Sequence, residues 1–246
     1  MTTTALKRSN DRKVAADVTA SGNVKIANAF GLPSGSNYSC PGATSVCERI
    51  CYAGKIEKQY KAVTANMVHN WNVLQNKTTE QMTSIIAQMI DDFRADCDKK
   101  KGTKSFRIHW DGDFFSRDYA QAWANVIAEN DDITFWVYTR SFTDKMFVID
   151  ILANLSNLSL YLSVDNDNLN DAKKVRKDYV SVRWAYLGET AESTKAEMLK
   201  MNDKPGAICP ENVKRIPLIT NEGGACIRCD LCVKGKADVR FAISKK

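Results

Sequence analysis

Hydrophobic and polar positions along this chain follow two rhythms that take turns. After residue 104, segments with a two-residue period alternate with segments of helical period. Residues 105–111, 133–140, 158–165 and 180–187 are predicted strands. Residues 117–129, 144–155, 168–177 and 191–201 are predicted helices, with Ser116, Thr143 and Thr190 as caps of the first, second and fourth. Residues 206–209 close the series as a short strand. Upstream, residues 24–30 read as a strand and 31–39 as a loop rich in Gly, Ser, Pro and Asn. Helices are predicted over 57–76 and 79–99, the latter started by a Thr78–Gln81 capping box. Strands that alternate with helices imply right-handed crossovers and a parallel sheet. The expected fold class is α/β, a partial (β/α)6 barrel, with a flat doubly wound sheet as the alternative. Residues 1–22 read as a flexible polar lead, 23–205 as the βα array, and 206–246 as a cysteine-rich extension.

The strands carry a second signal. Phe106, Ile108 and Trp110 share one face, and Arg107, His109 and Asp111 share the other. Phe135 and Val137 oppose Trp136, Tyr138 and Arg140. Leu158, Leu160, Leu162 and Val164 oppose Ser159, Tyr161, Ser163 and Asp165, and Val182 and Trp184 oppose Ser181 and Arg183. A parallel strand under helices is apolar on its helix side. The other face is repeatedly polar, and burying those charges requires pairing or a polar ligand. A hydrophilic cavity on that face is expected, with a sheet face open to water as the plainer alternative.

Composition is ordinary for a globular chain of 246 residues. The net charge of +6, from 35 basic and 29 acidic residues, permits nucleic-acid contact without indicating it. Lys99–Lys101 and the terminal Lys245 and Lys246 read as solvated surface. The N-terminus lacks an apolar signal core. The longest apolar stretch, 146–164, contains Asp150, Asn154, Ser156, Asn157 and Ser159, which a membrane helix would tolerate only at a cost. A cytoplasmic location follows, where thiols stay reduced and eight cysteines suggest metal ligation over disulfides.

Seven of those cysteines form two sets. Cys40, Cys47 and Cys51 lie within twelve residues, with no fourth cysteine near. Three thiolates on a four-iron cluster leave one iron open to chemistry. Cys226-x2-Cys229-x2-Cys232, with Cys209-Pro210 upstream, has the spacing by which ferredoxin-type loops wrap a [4Fe-4S] cluster. Zinc is the rival metal, but it prefers paired knuckles, and His69 and His109 are the only histidines. Cys97 reads as an ordinary packed thiol.

A three-cysteine loop after the first strand, with Tyr52 directly after its last cysteine, resembles the radical S-adenosylmethionine enzymes. The spacing here, Cys-x6-Cys-x3-Cys, differs from their usual Cys-x3-Cys-x2-Cys. Cys40-Pro-Gly-Ala, Cys51-Tyr-Ala, the segment His109-Trp-Asp-Gly-Asp-Phe-Phe-Ser116, Tyr138-Thr-Arg140 and the terminal cysteines together resemble the bacteriophage gene product 88 family, from about residue 24 to 235. The radical-enzyme resemblance implies more. Asp111, Gly112 and Asp113 match the motif that holds the amino group of S-adenosylmethionine, and Ser163 and Asp165 match the residues that hold its ribose. Cys209, Cys226, Cys229 and Cys232 match an auxiliary cluster.

The mechanism implied is reductive cleavage of S-adenosylmethionine at the first cluster, followed by hydrogen abstraction from a substrate, with an external electron donor. Arg107, Arg140 and Arg183 are candidates to hold an anionic, nucleotide-like substrate. His109, Asp113, Tyr138 and Arg140 are the candidate catalytic groups, with structural alternatives for three of them: hydrogen-bonded support for His109 and Asp113, a cavity wall for Tyr138. Trp71, Trp110, Trp123 and Trp184 read as packing. Two other classes stay open: a redox or lyase enzyme with clusters but without S-adenosylmethionine, and a metal-stapled phage protein that binds nucleic acid or a host factor.

Overall fold

The computed structural model describes residues 5–242, apart from 20, 22 and 203–205. Lys245 and Lys246 lie outside the described residues. The chain runs β1 (Ala29–Gly31), α1 (Ser45–Ile50), α2 (Tyr52–Gln59), α3 (Lys61–Leu74), α4 (Thr79–Lys100), β2 (Ser105–Asp111), α5 (Arg117–Ala128), β3 (Thr134–Thr139), β4 (Phe142–Thr143), β5 (Met146–Phe147), α6 (Ile149–Leu152), β6 (Leu158–Val164), α7 (Leu169–Asp178), β7 (Arg183–Gly188), α8 (Ala191–Asn202), β8 (Ala207–Ile208), β9 (Ile219–Thr220), β10 (Gly223–Gly224), α9 (Ala225–Cys229) and β11 (Val239–Ala242). Seven strands form one sheet in the order β1-β2-β3-β6-β7-β11-β8, and every neighbouring pair is parallel. The sheet ends at β1 and β8, so among the described residues it is open and not a closed barrel.

From β1 to β7 each strand of the sheet lies beside the one before it. Right-handed crossovers that step in one direction place their helices on one face. The core agrees. Ile86, Met89 and Phe93 of α4, Tyr119 and Trp123 of α5, Leu152 of α6, Val175 of α7 and Met198 of α8 pack with Phe106, Phe135, Leu160, Leu162 and Trp184. The crossover helices α4 to α8 therefore share one face, whereas Ala53 of α2 and Met67 of α3 pack on the other. Cys97 belongs to the same core. The capping box at α4 is present: Gln81 N donates to Thr78 Oγ1 at 3.3 Å, and Thr78 N donates to Gln81 Oε1 at 3.2 Å. Ser116 likewise starts α5, accepting from Tyr119 N at 3.1 Å.

Several elements depart from expectation. The helix expected over 57–76 breaks at Tyr60, whose backbone is extended (φ −123°, ψ 99°), and its first part begins earlier, at the Cys51 cap. The helix expected over 144–155 shortens to α6, because β4 and β5 pair as a hairpin around Asp144 and Lys145. β11 was not expected. It enters between β7 and β8 and pairs in parallel with both. The lead expected to be flexible is instead packed where it is described: Val14 and Ala15 are fully buried, and Ser9 bridges to Ala29.

The face opposite the helices is neither hollow nor open to water. Trp110, Trp136, Ala29, Val14, Ala53, Met67 and Val233 pack there, with Tyr161, Ala185 and Val239 alongside. The N-terminal segment, α2, α3 and the cysteine-rich segment cover it. The alternation predicted for β3, β6 and β7 holds. In β2 it fails near the end: His109 sits at φ +54°, a left-handed backbone, and the register with β1 shifts between Ala29 and Gly31. His109 therefore enters the helix-side core, and Trp110 takes the opposite face. No helix among the described residues is long and apolar enough to cross a membrane.

Candidate functional site

The first cysteine set is held by local caps. Cys40 N donates to Gly35 O at 3.1 Å. Thr44 caps α1 by accepting from Cys47 N at 3.0 Å, and Cys51 caps α2 by accepting from Gly54 N through its sulfur at 3.3 Å. Each cysteine thus sits at or beside a turn that fixes its backbone. All three thiols are free. Burial raises the Cys40 and Cys47 thiols above the ordinary cysteine range. Asp113 and Cys47 add to the rise at Cys40, and at Cys47 the Arg140 charge opposes that of Cys51, Asp113 and Asp165.

That loop is fastened to the C-terminal ends of three strands. Asp165, just after β6, accepts from Arg140 Nη1 at 2.6 Å and from Thr44 Oγ1 at 2.7 Å, and Arg140 also donates to Thr44 Oγ1 at 3.1 Å. Asp113, after β2, accepts from Thr139 Oγ1 at 2.6 Å, Arg140 N at 2.7 Å and Phe114 N at 2.8 Å. Burial still pushes the Asp113 carboxyl up, to about 6, against those bonds. A Cβ on Gly42 would overlap the Arg140 carbonyl, so only glycine lets the loop lie this close to the sheet.

The second set gathers from distant segments. Cys226 N donates to Lys13 O at 3.0 Å, and Cys209 N donates to Arg240 O at 3.0 Å. Cys226 and Cys232 join the cluster of Trp110 and Trp136, to which Cys51 and Tyr138 also belong, while Cys209 and Cys232 pack beside Tyr138 and Tyr161. Cys51 of the first set and Cys209, Cys226 and Cys232 of the second therefore lie on the face opposite α4 to α8, against a shared aromatic layer. Burial pushes the Cys226 and Cys232 thiols up to about 12. Lys13 and Arg107 pull against it at Cys226, and the Tyr138 hydroxyl and Arg107 pull against it at Cys232. Cys229 lines a cleft of about 570 Å³ with Pro210, Ile216, Glu222, Arg228 and Leu231.

The remaining predicted residues occupy varied places. His109 is buried among Phe30, Phe114 and Trp123, and its Nε2 meets Tyr119 Oη at 2.9 Å. Burial, aided by the Arg107 charge, lowers it to about 3. It stands away from both sulfur sets. Arg107 donates to Tyr52 Oη at 3.3 Å, pairs with Asp11 at 3.4 Å and stacks over Trp136 and Tyr138. Arg183 Nε donates to Gly235 O at 3.1 Å. The three arginines do not converge on one site, and each has a protein partner. The Tyr52 ring is half exposed, while its hydroxyl donates to Trp110 O at 2.8 Å. Ser163 O accepts from Asn168 at 3.0 Å. Asp111 accepts from Gly112 N at 2.9 Å and faces Glu57; burial and that neighbouring carboxyl push it up to about 9.

Three contributors escaped the sequence reading. Thr44 had a visible signal, since a threonine three residues before Cys47 is a helix cap. Glu57, which accepts from Ser34 N at 3.0 Å, and Lys13 had none.

As the chain stands, no group of three or more His, Cys, Asp or Glu side chains among the described residues is arranged to hold a metal ion. A single zinc ion draws its sulfurs to about 2.3 Å from one centre. A four-iron cube gives each thiolate its own iron, so its sulfurs stand farther apart. His69 bonds Ala5 O at 2.8 Å and His109 lies in the core, so neither histidine joins the cysteine sets. An all-thiol donor set suits a four-iron cluster and a four-cysteine zinc site alike.

The gene product 88 family model matches residues 4–235. The gene 88 protein of Mycobacterium phage L5 is 46% identical over 246 residues, covering 98% of this chain and 99% of that protein. The gene 88 protein of Mycobacterium phage D29 is 46% identical over 248 residues, with the same coverage. No solved structure matches. The conserved length and near-complete coverage settle one point: the chain belongs to the gene product 88 family.

Proposed function

We propose that this protein is an iron–sulfur enzyme of the radical S-adenosylmethionine type, built on an open, partial βα barrel. Cys40, Cys47 and Cys51 would hold a [4Fe-4S] cluster with one open iron, and Cys209, Cys226, Cys229 and Cys232 would hold a second, closed one. When bound, the first cluster supplies an open coordination site and one electron for cleavage of the sulfonium. The observation that supports this reading is that Cys51, Cys209, Cys226 and Cys232 pack on the sheet face opposite α4 to α8, while Thr44 ties the first cysteine loop to Arg140 and Asp165 at the strands' C-terminal ends. Active sites of βα arrays gather at those ends.

The chain's own residues have assignable tasks. Arg140, Asp165 and Thr44 fix the first loop, and Asp113 ties the ends of β2 and β3 together. Tyr52, directly after Cys51, ties that turn to β2 by donating from its hydroxyl to Trp110 O at 2.8 Å. The cleft at Cys229 is where an external electron donor would approach. An anionic substrate loses its support from Arg107, Arg140 and Arg183, because all three are held by protein partners.

A second reading keeps both clusters without S-adenosylmethionine. Asp165, the residue expected to hold the ribose, is spent on Thr44 and Arg140, and the first spacing is wider than usual. Anaerobic reconstitution with iron and sulfide, followed by dithionite and S-adenosylmethionine, separates the two. The first reading expects 5′-deoxyadenosine. Loaded clusters with none formed would favour the second.

A further inference from the structure

Lys13 and Arg107 come from parts of the chain unrelated to the cysteines, yet both meet the second set. Lys13 lies in the N-terminal segment, and its carbonyl accepts the Cys226 N–H at 3.0 Å. Its ammonium pairs with Glu211, two residues after Cys209. The segment can lie this close because Gly223 (φ +115°) and Gly224 pass beneath it; a Cβ on Gly224 would overlap the Arg12 and Lys13 carbonyls. Arg107 rises from the middle of β2. Its guanidinium is 5.0 Å from the Trp136 ring centre and 5.5 Å from that of Tyr138, within the layer that holds Cys226 and Cys232.

The burial of these charges is lopsided. The Arg107 side chain is 7% exposed, whereas its partner Asp11 is 18% exposed and 3.4 Å away. Arg107 Nε is buried with no hydrogen-bond partner among the described residues. A buried cation with a distant, partly solvated carboxylate needs further negative charge nearby. Four thiolates around an iron–sulfur core supply it. The setting of Cys47 in the first set is different, with Asp113 and Asp165 set against Arg140.

We propose that Lys13 and Arg107 are the counter-ions of the Cys209, Cys226, Cys229 and Cys232 cluster and hold its reduction potential up, while Asp11 holds it down. The proposal rests on the cluster reading above. Each added electron makes a cluster more negative, so a nearby cation favours the reduced form and a nearby anion opposes it. Arg107 is thus a positioning residue for a redox centre and not a substrate clamp.

The test is an EPR-monitored redox titration of the anaerobically reconstituted full chain. Lys13→Gln and Arg107→Gln are expected to shift the second cluster's midpoint to more negative values. Asp11→Asn is expected to shift it the opposite way. The first cluster's midpoint stays in place in all three, as does every midpoint in the control Lys174→Gln, at a surface residue on α7. Loss of the second cluster in Arg107→Gln with retention in Arg107→Lys also supports the proposal, since charge is then what the site requires. Equal loss in both, or loaded clusters with unmoved midpoints, overturns it. Wild-type protein without iron and sulfide overturns the underlying reading as well, so the two failures are distinguishable.

Discussion

Arg140 donates to Asp165 at 2.6 Å across the mouth of the sheet, and their side chains are only 8% and 1% exposed. The pair joins the end of β3 to the end of β6 and clasps Thr44 of the first cysteine loop between them. Removing one member of such a pair strands a buried charge, at a cost of about 3–5 kcal/mol. Asp165→Ala is expected to lose that much stability in chemical denaturation. The double variant Arg140→Met with Asp165→Leu is expected to lose less than Asp165→Ala, because no charge is left unpaired. Additive losses would contradict the pairing.

Gly42 gives a way to disturb the first set without touching a cysteine. A Cβ there collides with the Arg140 backbone, so Gly42→Ala must lift the loop from the sheet. The expected outcome after reconstitution is about half the wild-type iron, lost from the three-thiol site alone, if each set carries its own cluster. A full complement of iron in this variant would show that the loop's seat on β3 is not needed.

His109 makes a prediction about acid. Burial holds it at about 3 in the fold, against an ordinary 6.5, so the folded chain keeps it neutral where the unfolded chain is protonated. The stability it contributes is present above pH 6.5 and is lost as pH falls from there toward 3. Asp113 acts in the opposite sense. At about 6 instead of 3.8, it contributes stability below pH 3.8 that is lost as pH rises through 6. His109→Asn, a residue that tolerates φ +54°, is expected to flatten the acid-side loss measured by denaturation at stepped pH. Parallel profiles for variant and wild type would contradict the burial argument.

The boundary of α4 was legible because its capping box is a local signal; Thr78→Ala is expected to cost about 1 kcal/mol in thermal or chemical unfolding. The polar and apolar faces of β3, β6 and β7 were legible for the same reason, since alternation is local. The end of β2 was not. A left-handed His109 looks like any other strand residue in sequence, and it exchanges the sides of His109 and Trp110. That one residue moved a candidate catalytic group into the core. β11 was hidden because it is four residues long and its partners lie far away in the chain. The two cysteine sets were visible from spacing, but their shared aromatic layer depends on tertiary contacts among Trp110, Trp136 and Tyr138. The same is true of the arginines: sequence put them on strands, and only packing assigns Arg107 to Asp11, Arg140 to Asp165 and Arg183 to Gly235.

The most direct measurement is the metal and acid-labile sulfide content of the chain purified and reconstituted without oxygen. Two four-iron clusters predict about eight iron and eight sulfide per chain, with a brown colour that falls by about half when Cys40, Cys47 and Cys51 are replaced together by alanine. A colourless protein that carries zinc, or no metal at all, would contradict the account.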